Sequence, residues 1–211
     1  MNKNYLIIVV FLLSIIIFPL SINVLKESEV QQFKEKNILE VVSQLELYLK
    51  ALIKEKQSTT SVIAVGVASS SNIIDALKNK NFEKLDFKRY SLELKNKTDF
   101  KNVWFQLIDK NGISVQRSWI DFKGDKISNA RLDLQKMIKN PKVTNTISVG
   151  KFDMTFKSMI PIYDNNKTFL GIIEVITHFN SISKELEKKG ISAVFLVDKR
   201  YKKQITKPFS K

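Results

Sequence analysis

Arg117 and Trp119, two residues apart in the stretch "SVQRSWI" (114–120), are the side chains best suited to bind something. A guanidinium presents a rigid fork of donors that matches a carboxylate, and a neighbouring indole adds an apolar wall with one N–H donor. Read as a strand, the stretch puts Ile113, Val115, Arg117 and Trp119 on one side and Ser114, Gln116 and Ser118 on the other. The cation then stands on an apolar face, where an unpaired charge is costly to bury. Two chemistries satisfy such a position: an anionic ligand taken from outside, or an internal contact with an Asp or with Trp119. Strand parity leaves both open.

Catalysis has little to draw on. His178 is the single histidine and cysteine is absent, which excludes thiolate nucleophiles, thiolate metal sites and disulfides. No G-x-S-x-G elbow surrounds a serine, and no glycine-rich loop is placed to cradle phosphate. The carboxylates Asp121 with Asp125, and Asp153 with Asp164, lie near turns, where Asp is expected for local hydrogen bonding. His178, at a strand end, reads as a surface or packing residue. The chain is therefore not expected to be an enzyme or to carry a cofactor or metal.

The net charge of +14 raises nucleic acid as a partner. The cations, however, are overwhelmingly lysine, with arginine only at 89, 117, 131 and 200, and they are interspersed with Glu and Asp. No base-reading motif accompanies them. The composition fits a basic surface near an anionic membrane, and no nucleic-acid partner is expected.

The elements that must position Arg117 follow a leader. Tyr5 to Val24 is free of charge, with Lys3 before it and Lys26 after. About 20 apolar residues span a bilayer core as a helix. The run is longer than a signal-peptide h-region and no small-x-small site follows, so an uncleaved signal-anchor over residues 1–25 is expected. The short basic N-terminus would stay in the cytoplasm and the bulk of the chain would lie outside, in the periplasm of a bacterial inner membrane.

Residues 26–57 lack Gly and Pro and are rich in helix formers. Ile38, Val42, Leu45, Leu49 and Leu52 form an apolar stripe, either a dimer seam or a surface that docks on the chain's own sheet. A short helix is expected near 72–79, capped by Ser71 or Asn72, and another over 82–96. "NVWFQLIDKNGISVQRSW" reads as a hairpin turning at Asp109-Lys110-Asn111-Gly112. A helix over 126–139 stops before Pro141, and strands are expected at 143–149, 153–163 and 168–178. A helix over 181–189 and an apolar strand, "ISAVFLV", complete the order. The plan is α+β, with a five-stranded antiparallel sheet as core.

This layout resembles the extracytoplasmic Cache sensor domains of bacterial receptors, which are PAS-like. The resemblance spans about residues 26–200. It is closest in "VWFQLIDKNGISVQRSW" and in "KFDMTFKSMIPIYDNNKTFLGIIEVITHFNSIS", where a proline-containing strand ends in Tyr-Asp, turns, and returns through a Leu-Gly-Ile run. Arg-x-Trp on the first hairpin, matched by Arg117 and Trp119, holds the ligand's carboxylate in amino-acid-binding members. Those members also carry Tyr-x-Asp before the turn and a further Asp on the last strand. This chain has Thr144 and Thr146, and Ile176 and Thr177, at the corresponding places.

The resemblance therefore implies a carboxylate or other small anion more readily than a zwitterionic amino acid. The implied ligand set is Arg117, Trp119, Asp121, Thr144, Thr146, Asp153 and Thr177. It further implies a sensor domain at 26–190, the start of a truncated membrane-proximal segment at 191–211, a homodimer, and an output through a histidine kinase, chemoreceptor or diguanylate cyclase. A membrane-anchored structural or dimerisation module without a ligand is the alternative.

Overall fold

The computed structural model describes residues 3–129, 131–150, 153–202 and 205, with side chains from residue 26 onward. Two units divide the chain, residues 1–51 and 52–211. The first holds only the N-terminal part of helix α1, Lys3–Ala68. Within it Ile38 and Val42 are exposed, while Leu45 and Leu49 are half-buried. Among the described residues no single helix is long and apolar enough to cross a membrane. The side chains of the expected anchor, Tyr5 to Val24, lie outside the described residues.

Helix α1 does not stop near residue 57, the end of the expected helix, but runs through the Ser/Thr cluster at 58–61 to Ala68. Short polar side chains disfavour helices because they compete for backbone groups. Here that competition is absorbed inside the helix: Thr59 Oγ1 donates to Glu55 O at 2.9 Å and Thr60 Oγ1 to Lys56 O at 2.7 Å. Ala64, fully buried, then brings the helix against the core.

Helix α2 covers Ser71–Asn79, beginning at Ser70 as cap, and α3 covers Phe87–Lys97. The latter starts five residues later than expected because Asp86 is its cap, its side chain accepting from Arg89 N at 2.9 Å. Strands β1 (Trp104–Asp109) and β2 (Ser114–Arg117) form the hairpin. Its turn is set by Asp109 Oδ1, which accepts from the amides of Asn111 and Ile113, both at 2.9 Å, with Gly112 at φ 79°. The helix expected over 126–139 is reduced to a 3-10 turn, Ile127–Asn129, and α4, Leu132–Lys139. Between them Arg131 is extended, at φ −125°.

Strands β3 (Thr144–Val149), β4 (Met154–Tyr163) and β5 (Phe169–His178) form the meander, and α5 (Asn180–Glu187) follows. The sheet is antiparallel in the order β2-β1-β5-β4-β3, which puts β5 at its centre. The fold is α+β, as expected. The expected strand at 191–197 does not form. Its alternating apolar pattern is a strand signal, but a strand needs an edge to pair with, and Val194 and Leu196 are instead exposed.

The sheet's two faces differ. On one, Phe105, Leu107, Ile160, Ile173 and Val175 pack with Ala64 of α1, Ile73 of α2 and Phe87 at the start of α3. On the other, Ile108, Met159 and Ile172 meet Leu134 and Met137 of α4. The hairpin and β5 approach closely at Gly171, where a Cβ would stand 2.3 Å from Ile108 O. A backbone carbonyl cannot yield as a side chain does, so Gly171→Ala is expected to lower stability by roughly 1–3 kcal/mol or more. Chemical denaturation checks it; an unchanged midpoint would show that β1 and β5 are not packed this tightly.

Candidate functional site

Strand register determines which residues share the face covered by α4. Cα partners lie on the same side of an antiparallel sheet, and successive residues alternate. Gln106 pairs with Arg117 and Glu174, and Glu174 pairs with Met159, which pairs in turn with Thr144. One row further along, Ile176 pairs with Lys157, and Lys157 with Thr146. In the next row His178 pairs with Thr155, and Thr155 with Ser148. Polar side chains thus occupy the centre and one end of this face.

Arg117 reaches the face by a route that simple alternation misses. The β1–β2 register shifts between Leu107 and Ile108, so Ser114 and Arg117 both stand opposite residues of the α4-side face. The cation is consequently on a polar surface, beside Gln106 and Ser114. Of the two chemistries left open for it, Arg117 makes the internal one. Its side chain is 7% exposed, contacts both Asp125 oxygens at 2.8 Å, and donates to Phe122 O at 2.7 Å. Arg117 pulls the Asp125 carboxyl below its ordinary range. Gln106 completes the set when its amide is turned to suit its neighbours: its oxygen then accepts from Arg117 Nε at 3.0 Å and its nitrogen donates to Glu174 Oε2 at 3.1 Å.

Glu174, fully buried at the centre of β5, is the next link. Arg131 donates to both of its oxygens, at 2.9 and 2.5 Å, and to Asp133 Oδ2 at 2.6 Å. Burial pushes the Glu174 pKa up, but the charge and hydrogen bonds of Arg131, aided by Lys157, outweigh it and the net shift is down. Asp125, Arg117, Gln106, Glu174, Arg131 and Asp133 therefore form one continuous polar chain across β2, β1 and β5 to the start of α4.

The other candidates divide between sites. Trp119 lies past the end of β2 and stacks on Trp104, with ring centroids 4.9 Å apart, and Trp104 meets His178 edge-on at 4.6 Å. Asp153 pairs with His178 Nδ1 at 2.8 Å. Thr144 and Thr146 stand on the α4-side face. Asp121 is solvent-exposed and bridges to Lys88 at 2.6 Å. Thr177 faces the other way, because it alternates with Ile176 and His178; its hydroxyl is 2.8 Å from Thr60 Oγ1 on α1. It therefore does not join Arg117.

Four residues that sequence reasoning did not single out complete the geometry. Glu174 and Arg131 are the buried pair. Lys157 and Ser148 are the other two, and with the expected Thr146 and with Thr155, whose direction strand parity leaves open, they form a corner at the β3–β4 edge. The hydroxyls of Thr146, Ser148 and Thr155 are buried and have no hydrogen-bond partner among the described residues. Lys157 has no ion-pair contact there either, and burial, opposed by Glu174, pushes its amine's pKa down. A Cβ at Gly150 would stand 3.9 Å from Lys157 Nζ, which places the amine near the β3–β4 turn. The corner has one cation and three hydroxyls whose bonding capacity no described residue uses.

Residues 38–207 match the double Cache family described as the double sensory domain of two-component sensor kinases. The chain belongs to that family. No curated protein is similar to it. Among solved structures, the sensor domain of the V. cholerae histidine kinase DctB is 19% identical, with a TM-score of 0.55 over 69% of this chain and 57% of that one. The extracellular domain of vpHK1S-Z8 is 17% identical, with a TM-score of 0.51 over 72% of this chain and 62% of that one. At these identities the likeness is one of fold. The double Cache chain spans less than two thirds of either neighbour's length. The family is sensory and not itself catalytic.

The Glu174 network can be taken apart experimentally. Arg131→Met leaves a buried carboxylate unpaired and is expected to cost about 3–5 kcal/mol, whereas Arg131→Met with Glu174→Met together should cost much less. A carboxylate whose pKa is lowered on folding adds stability above its unfolded value and loses it as pH falls through both, so Glu174→Gln should flatten the acid limb of the stability profile below about pH 4. Urea titrations across pH check both; a double variant no more stable than Arg131→Met would overturn the pairing.

Proposed function

We propose that this double Cache chain is the extracytoplasmic, membrane-anchored input part of a sensor kinase, and that it binds a small carboxylate on the α4-side face of its sheet. One observation carries the ligand reading: Lys157 shares the α4-side face with its register neighbours Thr146, Ser148 and Thr155, whose buried hydroxyls no described group satisfies. Buried polar groups are ordinarily hydrogen-bonded, and a carboxylate supplies four lone-pair sites to a cation and hydroxyl donors at once. The stack of Trp104 and Trp119, with His178 held by Asp153, forms the adjoining wall.

Arg117 acts here by holding the 118–126 loop through Phe122 O and Asp125, so the anion falls to Lys157. The family's description supports a histidine kinase as output over a chemoreceptor or diguanylate cyclase. The charge-free run Tyr5 to Val24 supports a single-pass anchor at residues 1–25, and the sensor domain is assigned to 26–190. The stripe from Ile38 to Leu52 supports homodimerisation.

A purified full chain should be stabilised by at least one member of a panel comprising acetate, lactate, succinate, malate, citrate and pyruvate. Ligand at 100 times its Kd contributes about 2.7 kcal/mol, which raises Tm by several degrees. Lys157→Met should remove the shift while leaving the apo Tm equal or higher, because it removes a half-buried charge with no ion-pair partner among the described residues. If no acid raises Tm, the alternative is favoured: a structural module in which Arg117 and Arg131, already saturated by internal carboxylates, complete the protein's own packing.

A further inference from the structure

A cavity lies away from the sheet face, within residues 52–211, between α1, the turn after α3, and α5. It has a volume of about 440 Å³ and is walled by Leu52, Phe100 and Ile182. Lys56 lines it while keeping only 6% of its surface exposed, and its ammonium sits 3.9 Å from the centre of the Phe100 ring. Among the described residues no carboxylate lies within ion-pair distance of it. Burial alone pushes the amine's pKa down, to about 8.

Burying a cation without an anion is costly, and stacking on a ring offsets only part of that. Carboxylates do line the cavity, but they lie apart from the amine: Glu55 on α1, Asp99 on the turn, and Glu185 on α5, the last tied to Lys188 at 2.6 Å. With Lys188, which also lines it, tied to Glu185, the cavity is polarised, with one buried positive pole at Lys56, an apolar wall, and the carboxylates of Glu55 and Asp99. A simple anion would satisfy Lys56 but be repelled by Glu55 and Asp99. A simple cation would suit those carboxylates and leave Lys56 as it is.

We propose that this cavity is a second ligand site, taking a small zwitterion with an apolar body: its carboxylate on Lys56, its ammonium toward Glu55 and Asp99, and its side chain against Phe100, Leu52 and Ile182. The volume falls within the range of small-molecule pockets. Thr60, one turn beyond Lys56, holds α1 to the sheet through Thr177 at 2.8 Å, so such a ligand would touch α1 beside its attachment to β5. This site shares no residue with the Lys157 corner and does not rest on it.

Calorimetric titration of the purified full chain tests it with L-leucine, L-methionine and L-phenylalanine, and with two deletions of the same scaffold: 4-methylpentanoate, which lacks the ammonium, and 3-methylbutylamine, which lacks the carboxylate. At least one amino acid should bind, and its truncated analogues should bind roughly tenfold or more weakly. Lys56→Met should abolish binding. Asp99→Asn, a solvent-side change that leaves the fold intact, should weaken it, and Lys157→Met should not alter it. Affinity should fall as pH rises through about 8, because the free amine loses its proton there. Absence of heat with all three amino acids at millimolar concentration, equal affinity for 4-methylpentanoate, or unchanged binding by Asp99→Asn would overturn the proposal.

Discussion

A carboxylate sealed in the middle of the central strand constrains the rest of this molecule. Glu174 has no access to water, so its charge persists only because Arg131 donates to both of its oxygens. That requirement fixes the chain from the other side of the fold. Arg131 cannot be helical and still reach β5, which explains why the expected helix over 126–139 breaks and resumes only at Leu132. The short α4 then lies over the sheet with Leu134 and Met137 against Ile172 and Met159, so an ion pair and a small apolar cluster together close this face. Burial of such pairs is poor evidence for net stability, since desolvation can cancel attraction. Their specificity is clearer: a single register of β5 against β1 and β4 puts Glu174 beneath Arg131 and beside Gln106.

The same pair decides where a ligand can be held. Both arginines between β2 and α4 are already committed, Arg117 to Asp125 and Phe122, Arg131 to Glu174 and Asp133. Among the described residues the spare capacity lies one and two rows away, at Lys157 and Thr146 and at the hydroxyls of Ser148 and Thr155. Under the proposed reading, Arg-x-Trp marks the face, and Lys157 rather than Arg117 supplies the free cation. Its arginine organises the loop that follows β2, and its tryptophan lends an aromatic surface through Trp104.

Periodicity made most of the fold legible. The hairpin, the three strands of the meander and the helices at 72–79 and 181–189 fall within a few residues of the expected places, because Asp109 and Asp164 hold tight turns and the apolar runs between them have strand lengths. The failures have specific causes. A bulge at Leu107/Ile108 inverts the parity on which the reading of Arg117 rested. Thr59 and Thr60 turn their hydroxyls onto the helix backbone and carry α1 through an apparent break. The segment 191–197 has the right alternation and no pairing edge. Glu174 did leave a signal, as a lone acid inside "GIIEVI", an apolar run too long for a half-exposed strand. What no local pattern could supply was its partner, 43 residues away at Arg131.

Under the proposed reading, the position of the corner explains how occupancy would reach α1. Thr155 pairs with His178, and His178 follows Thr177, whose hydroxyl meets Thr60 of α1 through the opposite face of the sheet. Adjacent residues of a strand point to opposite faces but share one backbone, so a displacement of the end of β5 is felt on both sides. Close-packed interiors transmit such displacements rather than absorb them. A ligand drawing Lys157 and Thr155 toward itself would load the end of β5, and the Thr177–Thr60 contact is where that load would pass to the helix that leads to the N-terminus. The cavity at Lys56 adjoins the same contact from the helix side, one turn from Thr60. Two chemically different ligands would then act on one mechanical joint, and their effects on α1 would be coupled through it without either touching the other.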